Sequence, residues 1–185
     1  VTSGPAGDFR QFFWSDDPFI GAAMMPKWPK DTMPAKIDFY GDPRGPHGVN
    51  DSWFSKNVIR VTPPWKMLFA GKPIKSIAFH KKCAGALGAA LDDIWAACDK
   101  DQKTIEKNGL QEFGGSFNYR LIRGSNAISN HSFAIAIDIA PSGNALGVTK
   151  GKMPAFAVKA FKDQGFRWGG DYKGRKDWMH FEAVS

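Results

Sequence analysis

The chain has 185 residues, 43% of them apolar and 14% aromatic, with 25 Lys and Arg against 18 Asp and Glu for a net charge of +7. That length suits one domain with a sizeable core, and seven Trp with fifteen Phe exclude disorder as the dominant state. No apolar run approaches the ~20 residues of a membrane helix, two cysteines are too few for a disulfide scaffold, and the basic balance predicts attraction to an anionic partner such as nucleic acid, membrane or wall polymer.

Residues 1–52 are rich in Pro, Gly and Asp, with scattered aromatics (Phe12, Phe13, Trp14, Trp28) and no sustained period. They read as an irregular arm packed by its aromatics onto a domain that spans 53–185. The chain opens on Val1, and no charged-then-apolar leader stands in its first thirty residues. A removed signal peptide, a removed propeptide and a shortened chain are all compatible with that. Asn57–Thr62 is β-branched and predicts a strand stopped by Pro63 and Pro64. Phe79, Cys83, Leu87, Leu91, Ile94, Trp95 and Cys98 recur at steps of three and four, one face of a long helix with Lys81, Lys82, Asp92 and Asp93 opposite. Cys83 and Cys98 would then stand about 22 Å apart along that helix, so both are expected free and buried.

Phe117–Ile122 and Phe133–Ala140 read as strands, and Met153–Gln164 as a short helix closed by Gly165. Phe166–Trp168 and Trp178–Ala183 complete a set of short strands. The fold class is α+β, a small and mostly antiparallel sheet packed against helices.

The common catalytic signatures are missing: there is no HExxH, CxxC, GxSxG or phosphate-binding glycine loop. Asp138 stands out, set in Ala-Ile-Ala-Ile-Asp-Ile-Ala. A carboxylate in such a strand costs several kcal/mol unless it is paired, protonated or bound to a metal. It is either a buried Asp satisfied by backbone amides or an Arg, or a functional group. His131 lies seven residues earlier, and that odd separation puts the two on opposite faces of a regular strand. To share a ligand with Asp138, His131 must come from the turn at Ser129-Asn130-His131 or from a bulge. His180 follows in Asp177-Trp178-Met179-His180-Phe181-Glu182. Two His and one Asp brought together by the fold would make three zinc ligands with a fourth position open. His80 is expected to cap the long helix or lie on its surface, and His47 to be exposed. Trp168 and Trp178 either wall a cleft or belong to the core, and Glu182 shares a strand face with His180 as a candidate support for its imidazole.

The run Ser129-Asn130-His131-Ser132-Phe133-Ala134-Ile135-Ala136-Ile137-Asp138 closely resembles the S-x-H-x-x-G-x-A-x-D motif of the VanY-type zinc peptidases. These are D-alanyl-D-alanine carboxypeptidases and related L-alanyl-D-glutamate endopeptidases of peptidoglycan stem peptides. Asp177-Trp178-Met179-His180-Phe181-Glu182 resembles the second half of their signature, a carboxylate-x-x-H-F-E. Gly165–Gly170 and Phe117–Arg120 also look like the family's pattern, and the resemblance runs from about Trp53 to the end.

The resemblance implies one Zn²⁺ per chain on His131, Asp138 and His180, with Asp177 as catalytic acid/base. It also implies that Arg120 holds substrate or the developing oxyanion. Ser129 either hydrogen-bonds substrate or caps its own turn. Arg123 is either a second anion contact or a solvated strand end. In two places the chain departs from the pattern: Ala134 stands where the family usually has Gly, and Asp177 where some members carry Glu. The implied activity is zinc-dependent hydrolysis of stem peptides in the periplasm, cell envelope or outside the cell, and a phage lysin fits as well. A monomer is expected. A catalytically silent zinc-containing wall-binding module on the same fold is the alternative, against which the joint presence of Asp177, Arg120 and all three ligands argues. Five lysines between Lys66 and Lys82 would suit nucleic acid, but no nucleic-acid motif accompanies them, and none is expected to bind.

Overall fold

The computed structural model of the chain describes residues 27–122 and 127–185. The expectations for Phe12, Phe13, Trp14 and Arg123 lie outside these residues. In chain order the first elements are α1 (Met33–Tyr40), β1 (Arg44–Gly45), β2 (Gly48–Val49), α2 (Asp51–Asn57), β3 (Val58–Val61), β4 (Leu68–Phe69), β5 (Lys72–Pro73) and β6 (Ile77–His80). Then follow α3 (Lys81–Ala97), α4 (Gln102–Lys107), β7 (Phe113–Gly115), a 3₁₀ turn (Asn130–Phe133), β8 (Ala136–Ile139), α5 (Ala155–Asp163), β9 (Arg167–Trp168) and β10 (His180–Glu182).

The centre is a four-stranded sheet in the order β7-β8-β10-β9, antiparallel throughout, so the α+β expectation stands. Alternation along β10 divides its residues between two faces. Phe181 turns towards the helices and stacks on Phe161 of α5, ring centres 4.1 Å apart. His180 and Glu182 turn the other way. Helix α3 packs beside α5 and buries Cys83, Leu87, Leu91 and Ile94, while Lys81, Lys82, Asp92 and Asp93 are exposed. Cys83 and Cys98 are both free and buried, as their spacing predicts.

The helix starts two residues later than its apolar period suggests. Phe79 belongs to β6, paired opposite Ile59 of β3, and His80 is the N-cap, its Nδ1 accepting from Lys82 N at 3.2 Å. His80 is wholly buried, with Nε2 donating to the Tyr40 carbonyl at 3.0 Å, whereas His47 is exposed as expected.

The strands expected over 57–62, 166–168 and 178–183 are present but trimmed, to Val58–Val61, Arg167–Trp168 and His180–Glu182, and two others depart further, for local reasons. Phe117–Ile122 forms no ladder beyond one bridge between Leu121 and Ile128. Its backbone is used elsewhere: Asn118 N donates to the His131 carbonyl at 3.2 Å, and Arg120 N to the Ser132 hydroxyl at 3.0 Å. The strand expected over Phe133–Ala140 is confined to Ala136–Ile139. Asn130–Phe133 winds as 3₁₀, and Ala134 then takes the left-handed conformation, φ 55°, which turns the chain into β8.

Part of the segment expected to be irregular is ordered. Helix α1 follows an extended Thr32 with Pro34 in its first turn, and stops at Gly41, φ 78°. Lys36 and Tyr40, one turn apart, form its buried face. Trp28 packs in the core against Phe166, and the Tyr40 hydroxyl donates to the Ala183 carbonyl at 2.7 Å. Backbone bonds from Asp31 N to Ser185 O and from Ser185 N to Pro29 O pin residues 29–31 against Ser185, three residues beyond β10. Among the described residues no helix is long and apolar enough to cross a membrane.

Candidate metal centre

His131, Asp138 and His180 converge on the sheet face away from the helices. Asp138 and His180 are opposite each other in the β8–β10 register. His131 comes from the 3₁₀ turn, one of the two placements, turn or bulge, that let it meet Asp138 despite their odd separation. One ligand atom from each of the three lies within 4.8 Å of the others. His180 Nδ1 stands 2.8 Å from Asp138 Oδ1, and His131 Nε2 stands 3.3 Å both from Asp138 Oδ2 and from His180 Nδ1. All three side chains are buried.

The outer nitrogens of both imidazoles are fixed by acceptors. His131 Nδ1 lies 2.5 Å from the Ser116 carbonyl, which can only accept, so Nδ1 carries the proton and Nε2 turns its lone pair inward. His180 Nε2 faces Glu182 Oε2 at 3.0 Å, leaving Nδ1 as the inward atom. Glu182 therefore holds the His180 ring, as its place two residues along the same strand face suggests.

The electrostatics ask for a cation here. Burial opposes the charge on Asp138, but hydrogen bonds from His131 and His180 outweigh it and hold the carboxyl well below its usual range. Burial likewise opposes the charge on His180, but Asp138 and Glu182 outweigh it and push the imidazole up to about 10. Arg167 pairs with Glu182, whereas Asp138 pairs among the described residues only with the two histidines, so its charge is met by a proton on them or by a metal ion. Two imidazole nitrogens and a carboxylate are the donor set of zinc and similar divalent metals. The residues fit a metal ion.

Asp177 sits half-buried just before this strand. Its Oδ1 is buried without a hydrogen-bond partner. Burial raises its pKa, the charges of Asp138 and Glu182 raise it further, and His180 and His131 oppose that rise. A glycine makes its placement possible. Asp177 N donates to the Gly169 carbonyl at 3.1 Å, and a Cβ on Gly169 would lie 2.3 Å from the Asp177 carbonyl oxygen. Gly114 does the same for Asp138, where a Cβ would stand 2.8 Å from the Asp138 Cβ.

Ser129 caps the 3₁₀ turn, its hydroxyl accepting from His131 N at 3.3 Å. Arg120 is exposed, and its backbone carbonyl accepts from Ser129 N at 3.0 Å and from the Ser132 hydroxyl at 2.9 Å. Among the described residues its guanidinium makes no hydrogen bond or ion pair. Trp168 and Trp178 pack edge to face at 5.5 Å, and each indole N–H is spent on a backbone carbonyl. Residues that sequence reasoning passes over also reach the site. Ser116 orients His131, and Asn130, hidden at the variable position of the S-x-H motif, donates to Glu182 Oε2 at 2.6 Å.

No curated protein and no solved structure matches the chain. The resemblance carried by the two motif halves is matched by a family model over part of the chain. Residues 123–183, which hold His131, Asp138, Asp177 and His180, match the family of D-alanyl-D-alanine carboxypeptidases.

Proposed function

We propose that the protein is a zinc-dependent peptidase that hydrolyses peptide bonds in peptidoglycan stem peptides, as a D-alanyl-D-alanine carboxypeptidase or an L-alanyl-D-glutamate endopeptidase. The observation that carries this reading is the convergence of His131, Asp138 and His180 in a segment that matches the carboxypeptidase family. His131 Nε2, the Asp138 carboxylate and His180 Nδ1 would hold the ion and leave a fourth position open. Zinc held there would supply Lewis-acid polarisation of the scissile carbonyl and acidify the attacking water.

The rest of the chemistry falls to the chain's own groups. Asp177 takes the proton from the attacking water and returns it to the leaving amine. Its buried, unpartnered oxygen and raised pKa suit a group that must both accept and release a proton near neutral pH. Glu182 keeps the proton on His180 Nε2, and the Ser116 carbonyl keeps one on His131 Nδ1, so that both inward nitrogens stay available. Arg120 offers a planar fork of donors to a stem-peptide carboxylate or to the developing oxyanion. Ser129 spends one lone pair on the His131 backbone and has its own O–H left for substrate. Such substrates place the protein in the periplasm, cell envelope or outside the cell, where the +7 net charge would hold it near anionic wall polymers.

Mass spectrometry of muropeptides after incubation with the zinc-loaded protein tests the reading. Release of terminal D-Ala, or cleavage between L-Ala and D-Glu, supports it and tells the two types apart. Stoichiometric zinc with no cleavage of either bond would favour the silent wall-binding module.

A further inference from the structure

Behind the metal centre a buried polar network reaches a part of the chain that precedes the family match. Glu182 is its hub. One carboxylate oxygen accepts from His180 Nε2 at 3.0 Å and from Asn130 Nδ2 at 2.6 Å. The other accepts from Arg167 Nε at 2.8 Å and from the Tyr172 hydroxyl at 2.5 Å. Asn130 is the chain neighbour of His131, so a single carboxylate ties the ring of one ligand to the turn that carries another.

The network does not end at Asn130. Its Oδ1 accepts from Lys36 Nζ at 2.7 Å, and Lys36 is itself paired with Asp31 at 2.9 Å. The second oxygen of Asp31 bonds Arg167, which closes the ring. The Lys36 ammonium also lies 5.5 Å from the centre of the Phe133 ring. Lys36 thus grips the 3₁₀ turn at its first and last residues, with His131 between them.

Lys36 is 5% exposed, on the inner face of α1. A buried ammonium is costly unless its partners are in place, and a helix that merely covered the body would be served better by an apolar residue. Here two cations, Lys36 and Arg167, are matched by two carboxylates, Asp31 and Glu182. The charges are satisfied as a set and not one by one.

We infer that Lys36, with Asp31, is a positioning residue of the metal centre, acting through Asn130 and Glu182 to fix the turn of His131 and the ring of His180. The inference rests on the reading of His131, Asp138 and His180 as metal ligands. It makes metal affinity a property of the helix ahead of the matched segment as well as of the motif.

The test compares the full chain with its Lys36→Met, Lys36→Arg and Asp31→Asn variants. Zinc affinity is measured by competition with a chromophoric chelator, and site geometry by the visible spectrum of the Co²⁺-loaded proteins. Lys36→Met is expected to weaken zinc binding about tenfold or more and to shift the Co²⁺ bands. Lys36→Arg should recover most of the affinity. Leu91→Ala, a core change remote from the network, should lower stability and leave affinity at the parental value. Should Lys36→Met fail to fold, Asp31→Asn carries the same readout. Parental affinity and spectrum in the Lys36 and Asp31 variants, or an equal loss of affinity in Leu91→Ala, would overturn the inference and leave the ligand assignment standing. Absence of zinc binding by the parental chain would overturn both.

Discussion

Asp138 and His180 face each other across two neighbouring antiparallel strands, with Asp138 Oδ1 2.8 Å from His180 Nδ1. Backbone pairing therefore sets the distance between two of the three candidate ligands before any metal arrives. The third, His131, depends on a turn, and a turn is easier to displace than a strand.

Substitution of single ligands should separate these contributions. The parental chain should bind about one zinc, and His131→Ala or Asp138→Ala should lose it, as read by metal analysis after gel filtration. Asp138→Ala also removes the carboxylate that pairs with both inward nitrogens, leaving two imidazoles side by side with only Glu182 behind one of them, so of the two it should be the less stable when metal-free.

Asp177→Asn keeps the size of the side chain and removes the base. Its zinc content should be parental, while turnover on muropeptides falls by roughly 10²–10⁴-fold. A parental rate in Asp177→Asn would remove Asp177 from the reaction. The sign of the stability change follows from the raised pKa. A carboxyl whose pKa is higher folded than unfolded contributes stability below its unfolded pKa and loses it as pH rises through the folded one. The metal-free Asn variant should therefore gain on its parent from acid towards neutral pH, as measured by urea melts at both.

The two glycines that touch the site should fail in different ways. In Gly169→Ala the new methyl would meet the Asp177 carbonyl oxygen at 2.3 Å, so Asp177 must move. Turnover should drop with zinc retained. In Gly114→Ala the clash is with the Asp138 Cβ at 2.8 Å, and zinc affinity should drop instead. Each overpacked variant should also lose about 1–3 kcal/mol of stability in denaturant melts.

His80 supplies a pH test outside the metal centre. Burial is the main cause that lowers its pKa from 6.5 to about 4, against a hydrogen bond to the Tyr40 carbonyl that raises it. The unfolded chain then takes up a proton before the folded one does. The stability His80 contributes is present above about pH 6.5 and is lost as pH falls towards 4, on the order of 2–3 kcal/mol by pH 4.5. His80→Asn retains a capping side chain and should show a flatter acid limb in urea melts between pH 7 and pH 4.5.

Much of the site is legible in the sequence because its residues break local rules. Asp138 is conspicuous among isoleucines, and for a ligand shared with it parity sends His131 off the pleated run, to a turn or a bulge. The long helix and the free cysteines follow from spacing. Less legible is whatever depends on a tertiary competitor. Phe117–Ile122 has the composition of a strand, yet the Ser132 hydroxyl and the His131 carbonyl take its backbone donors. Helix α1 is eight residues long, too short for its period to stand out among the prolines and glycines around it. Nothing in its sequence marks Lys36 as buried, because the groups that make burial tolerable are Asp31 nearby and Asn130 ninety-four residues away.

The alternation of β10 has a further consequence. Phe181 stacks on Phe161 in the core, while its two neighbours, His180 and Glu182, serve the opposite face. A slip of one residue in this strand would expose the phenyl ring and drive an imidazole and a carboxylate into the helices. The apolar layer thus acts as a proofreader. Any misregistered form is rejected by the oily side of the sheet, whatever the polar side has found to pair with.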